Sequence, residues 1–150
     1  KVREVQSIVY REAVGTETPL SPPSAGTTGF DENGWQSERV VAPAEAMLFR
    51  YSALTFNSHR IHYDLPYARD EERYRGLVVH GPLTASWLLD LARRELGDNA
   101  LASFAFRGLS PAICGEALHL VMRGSGKEIE LAAFADDGRQ IMAASAQGCI

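Results

Sequence analysis

The sequence predicts an α+β fold in which an antiparallel sheet curves around one central helix. Three observations carry that expectation. Residues 82–96 read as a helix with Leu83, Trp87, Leu88, Leu91 and Ala92 along its stripe, Pro82 at its start and Gly97 as its stop. Four stretches of strand character follow, over 101–107, 117–123, 128–135 and 140–146. The last three are separated by Gly124-Ser125-Gly126 and Asp136-Asp137-Gly138, both hairpin signals. A helix apolar on most of its circumference needs cover on several sides, and a curved sheet supplies it.

The rest of the chain is justified in order. At 150 residues there is room for one domain and an appendage. Val2, Val5, Ile8, Val9 and Tyr10, with charges between them, predict a strand over 2–11. Residues 14–39 then hold Pro, Gly, Ser and Thr with almost no apolar periodicity, which reads as a linker. So short a segment buries no core, so 1–13 is expected to be an orphan strand that docks on the domain behind it or on another chain. The main domain is expected over 40–150. Pro43 opens a short helix over 43–53, with Met47, Leu48, Tyr51 and Leu54 on one face. A polar stretch from Asn57 to Asp64 and a charged one from Arg69 to Arg73 come next. The apolar run Leu77-Val78-Val79 ends in His80-Gly81-Pro82, which leads into the central helix.

Composition excludes several functions. Fifteen Lys+Arg against nineteen Asp+Glu give a net charge of −4, without the basic balance that nucleic-acid binding wants. No apolar run approaches the ~18 residues of a membrane span. The polar start Lys1-Val2-Arg3-Glu4 is not a signal peptide. Cys114 and Cys149 are too few for a disulfide framework and lack metal-ligand spacing. A reduced setting is the expectation, cytoplasmic, or the mitochondrial matrix in a eukaryote.

The chemistry concentrates in Asn57-Ser58-His59-Arg60-Ile61-His62-Tyr63-Asp64. His59, His62 and Asp64, with His80, are a possible divalent-metal set, since imidazole and carboxylate suit zinc or iron. One imidazole is equally a candidate general base, because its ordinary pKa lies near working pH. The bland alternative is a solvated loop of turn formers. Elsewhere, His119 reads as a partly buried strand residue, and Trp87, Phe104 and Phe106 as core. Arg93 and Arg94 meet the helix dipole, and Cys114 is an inert small residue.

The pattern resembles the enoyl-thioester hydratases and dehydratases of the MaoC-like, hotdog-fold group. That family carries an Asp, then Asn-Pro two and three positions on, then a catalytic His five positions after the Asp, followed by x-Asp and a downstream Ala. Here the His falls on His62, the acid on Asp64 and the Ala on Ala68. A second element, an apolar strand ending in His-Gly at the start of the central helix, matches Leu77 to Ser86. A third matches Phe104-Ala105-Phe106-Arg107 with Pro111 and Gly115-Glu116. The family's Asp is Asn57 here, its Asn is His59 and its Pro is Arg60. The string from Leu54 to Asp64 is similar to one branch, that of the mesaconyl-C4-CoA and itaconyl-CoA hydratases and the mitochondrial-like 3-hydroxyacyl-thioester dehydratases. Longer members of that branch carry a degenerate first hotdog, which would account for the orphan strand and the linker together.

The resemblance implies a hotdog fold and a hydro-lyase that adds or removes water at the α,β double bond of an acyl-CoA or acyl-carrier thioester. It implies His62 as base, Asn57 positioning water or the imidazole, and the amide of Gly81 or its neighbour as donor to the enolate oxygen. His62 serves both steps in turn, or Asp64 or His59 shares the acid–base work, and Asp64 is placed to orient the His62 ring. Arg60 is expected to meet an acyl carboxylate, as in a C4 or C5 dicarboxylic acyl-CoA, or else to pair with Asp64, Asp70 or Glu71 or to bind a phosphate of CoA. His59, His80 and Arg107 are expected to contact substrate. No cofactor and no metal are implied, and pairing with a second hotdog is, as a homodimer or with a missing first half. A non-catalytic thioester-binding half and a hotdog thioesterase are the alternatives, since the fold hosts both.

Overall fold

The structure is a computed structural model that describes residues 2–9, 12–23 and 29–149. In chain order its elements are β1 (Ser37–Val41), α1 (Glu45–Thr55), α2 (Gly81–Leu96), β2 (Leu101–Gly108), β3 (Leu118–Ser125), β4 (Glu128–Ala135) and β5 (Gln140–Gly148). The strands form one antiparallel sheet in the order β1-β3-β4-β5-β2. The expected hotdog architecture is therefore present.

Period-two alternation makes the core. Leu118, Leu120 and Met122 of β3, Leu131 and Ala133 of β4, and Met142 and Ala144 of β5 are buried with Leu83, Leu88, Leu91 and Ala92 of α2. Two polar links fasten α2 to the edge strand: Arg39 donates to Asp90 at 2.5 Å and Ser37 to Glu95 at 2.8 Å. Arg93 and Arg94 also donate to Asp90, so this carboxyl sits far below the ordinary carboxylate range. The β3–β4 hairpin closes through Gly124 at φ +89°, a left-handed position that disfavours any Cβ.

The structure corrects several sequence expectations. Strand β1 lies partly inside the expected linker: its alternation is only five residues long, and it exists because β3 supplies its partners. Of the strand expected over 2–11, none is present among the described residues. Residues 2–9 have no regular structure, and Val2, Val5, Ile8 and Val9 are exposed; Tyr10 and Arg11 fall outside the described residues.

The described parts of 14–39 are an ordered strap rather than a free linker, while 24–28 fall outside the description. The Phe30 ring stacks on His119 at 4.4 Å, and the Arg123 guanidinium lies over Trp35 at 4.6 Å, on the sheet face turned away from α2. Finally, the stripe of α1 is narrower than its periodicity suggested. Leu48 and Ser52 are buried and Tyr51 is half-buried, while Met47 and Leu54 are exposed. Phe104 packs against the core as expected, but Phe106 is exposed on β2, which among the described residues pairs with β5 alone.

Candidate active site

The site is assembled from three segments. The first is the short 3-10 turn Arg60–His62, which follows α1 through an irregular loop. Asn57 shapes that loop: its amide donates to the Ser52 carbonyl at 2.9 Å and its Oδ1 accepts from the His59 amide at 3.0 Å. The second is the extended run Leu77–Val79. It is laced to the chain beyond β2 by bonds from Val79 N to Ala112 O and from Cys114 N to Leu77 O. The third is the start of α2, where His80 is the extended N-cap residue.

Val78 joins the first two segments. Its amide donates to the Ile61 carbonyl at 3.0 Å, and its carbonyl accepts from His62 Nδ1 at 2.7 Å. That second bond fixes the tautomer: Nδ1 carries the proton and Nε2 keeps its lone pair. His62 is buried. Burial pushes its pKa down, with the neighbouring His59 adding to the shift against the Val78 bond, so the ring is a neutral base near pH 7.

His80 lies directly against it. The two imidazoles stack with centroids 3.6 Å apart and planes 18° from parallel. His80 Nε2 meets Ser52 Oγ at 2.8 Å, the Tyr51 ring covers it at 4.8 Å, and its Nδ1 is buried without a partner. Burial, with His62 adding to it, pushes the His80 pKa down to about 4.

The remaining expected residues are placed differently. Asp64 does not orient His62. Its Oδ2 accepts from Arg60 Nε and Nη2 at 2.9 and 2.7 Å, and its Oδ1 from the Tyr67 amide at 3.2 Å. Those donors hold its carboxyl below the usual range, so it stays ionised. Arg60 is half-exposed, its guanidinium lying over Tyr67 at 4.2 Å. Asn57 makes its described bonds to Ser52 and His59, and no described hydrogen bond joins its side chain to either ring of the stacked pair. His59 is exposed, edge-on to His62 at 5.8 Å. Arg107 is exposed on β2, in register with Ala143, and is not brought to the histidines by any described contact. His80 is too deeply buried to be a surface contact for substrate.

The metal set does not assemble: among the described residues no three His, Cys, Asp or Glu groups are grouped to hold an ion. Ser52 was not singled out from the sequence. The signal for it was present, because it lies four residues beyond the buried Leu48 on the same helix face.

Gly81 opens α2; Pro82 has no N–H and the Leu83 and Thr84 amides donate to the His80 carbonyl, so among the described bonds the Gly81 amide is the first-turn donor left without a partner. A Cβ placed on it meets nothing within 4 Å, so the space over its backbone is open. Beside the loop, Phe49, Ala53, Phe56, Asn57 and Tyr63 line a shallow, mostly apolar hollow of about 330 Å³ that Ser52 also borders. A larger hollow of about 650 Å³ sits by Arg123, Lys127 and Ser103, away from every histidine. No histidine lines the smaller hollow either; Ser52, which bonds His80, is its link to the stacked rings.

Residues 1–114 match the family model described as hydroxyacyl-thioester dehydratase type 2. The chain belongs to that family. It is 42% identical over 146 residues, 97% of its length, to mesaconyl-C(4)-CoA hydratase of Chloroflexus aurantiacus, covering 50% of that protein. It is 34% identical over 108 residues, 70% of its length, to the mitochondrial hydroxyacyl-thioester dehydratase type 2 of Schizosaccharomyces pombe, covering 34% of it. The chain thus spans half or less of the length of these curated relatives. Among solved structures, R-hydratase PhaJ1 of Pseudomonas aeruginosa, unliganded, superposes with a TM-score of 0.67 at 19% identity. The match covers 73% of this chain and 76% of that one. For this member of the dehydratase family, that likeness shows the shared fold.

Proposed function

We propose that the chain carries the site of a hydro-lyase acting at the α,β double bond of an acyl-CoA thioester. The observation that carries this reading is the buried, neutral His62, whose Nδ1 is committed to Val78 and whose Nε2 is left bare. Nε2 takes a proton from water as the oxygen bonds to the β-carbon. The electron pair of the double bond moves onto the thioester oxygen, where the Gly81 amide at the positive end of α2 steadies it. The imidazolium then returns its proton to the α-carbon, and atoms and charge balance. Asn57 has no transferable proton and Asp64 is ionised against Arg60, so His62 serves both steps.

A dicarboxylic acyl group is the favoured substrate class, supported by the 42% identity to a mesaconyl-C(4)-CoA hydratase. Arg60 keeps Nη1 free of described partners while Nε and Nη2 hold Asp64. It therefore receives a substrate carboxylate through one donor rather than its full fork. Pairing with a second hotdog, as a homodimer or with a first half of a longer protein, is supported by the open edge of β2 and by the length of the relatives. A reduced compartment suits the two free cysteines.

The test is hydration of crotonyl-CoA and mesaconyl-C4-CoA by the wild type and by His62→Ala. His62→Ala is expected to lower kcat/KM about 10³-fold while the fold persists, and His59→Ala to do less. Arg60→Met is expected to lower the dicarboxylic rate about tenfold and to spare crotonyl-CoA. Activity of His62→Ala equal to wild type removes the mechanism, and equal losses on both substrates for Arg60→Met remove the dicarboxylic reading.

A further inference from the structure

The bond from His62 Nδ1 to the Val78 carbonyl pins one edge of the base but leaves the ring free to swing about that bond. What blocks the swing is the face of His80, 3.6 Å away and nearly parallel. His80 can serve as a wall only if its ring is held, and the one described hydrogen bond of that ring joins Nε2 and Ser52 Oγ on α1. We propose that Ser52 and His80 form a buried positioning pair that fixes the plane of the His62 ring and limits the two stacked imidazoles to one positive charge, carried by His62. This rests on the hydro-lyase reading for its catalytic consequence, and the charge count stands apart from it.

The asymmetry follows from the surroundings of each ring. A proton added to His62 Nε2 leaves Nδ1 bonded to Val78 and places the new N–H at the reacting end. A proton added to His80 leaves Nδ1–H facing no acceptor in a buried site, a costly arrangement. Charging both rings would set like charges at van der Waals separation. The groups facing His80 are Tyr51 and Ser52 from α1 and His62 from the turn, with His59 beyond His62. Among the described residues no carboxylate or guanidinium contacts either stacked ring to offset a second charge.

The sequence offered His62 and His80, 18 residues apart, only as members of a metal set or in separate roles, and nothing in their spacing brings them face to face. Their joint action is a property of the fold. Ser52 and His80 are positioning residues: they act through His62 and transfer no proton to substrate.

Two measurements test this. Side-chain ¹⁵N NMR of the histidines from pH 8 to 5 is expected to show His62 passing from the neutral Nδ1–H tautomer to the imidazolium while His80 remains neutral. Steady-state hydration by Ser52→Ala and Ser52→Thr is expected to separate kcat from KM. Ser52→Ala lowers kcat about tenfold with KM held within about twofold, and Ser52→Thr, which keeps the hydroxyl, restores most of it. Protonation of both rings in that range overturns the proposal, as does a Ser52→Ala loss that falls on KM or that Thr does not rescue. The NMR measurement needs no substrate. A wild type inactive on every enoyl-CoA tried therefore counts against the hydro-lyase reading, and the titration decides the charge count by itself.

Discussion

Lowering the pH should destabilise this protein through His80, by an amount the structure sets. The imidazole is 1% exposed, and its folded pKa is about 4 against an ordinary 6.5. Below pH 6.5 the unfolded chain therefore binds more protons than the folded one. The contribution is intact above about pH 6.5 and is lost as pH falls toward about 4. Between pH 7.5 and 5 the linkage amounts to about 2 kcal/mol, and solvent screening brings it to about 1–2 kcal/mol. His80→Gln keeps a polar partner for Ser52 and does not titrate. Urea unfolding of both proteins at pH 7.5, 6 and 5 is expected to show wild type losing that much more stability than the variant. His62 and the carboxylates titrate in both, so the difference isolates His80. Parallel pH profiles would refute the reasoning, because they would mean that the ring is protonated in place or reached by water.

Two further substitutions separate the site from the scaffold. Gly81→Ala adds a Cβ that meets nothing within 4 Å of protein, so Tm should hold while kcat/KM for an enoyl-CoA falls about tenfold, read by thermal melts beside rate assays. Gly124→Ala places a Cβ 2.1 Å from the Glu128 carbonyl oxygen at φ +89°, and denaturant unfolding should show a loss of about 2–4 kcal/mol.

Much of this protein was determined by neighbours in the chain. The apolar stripe of 82–96, bounded by Pro82 and Gly97, and the two Gly-containing turns between strands are local codes, and local sterics enforce them. The same holds for the clustering of His59, His62 and Asp64 in one loop, and for Gly81 at the head of a helix. Partner choice was not local. Strand β1 needed β3 to exist, and Phe30 found His119 across a strap that reads as linker. Asp64 lies two residues from His62, yet it turned to Arg60, because one turn of backbone offers the guanidinium two bonds and the imidazole is already satisfied by Val78, sixteen residues away. Likewise His80 meets Ser52 and His62 only because the fold brings α1, the 60–62 turn and the head of α2 together. A hydrogen bond between distant residues depends on register and packing that spacing does not encode, so the sequence could name the histidines, and only the tertiary structure could stack them.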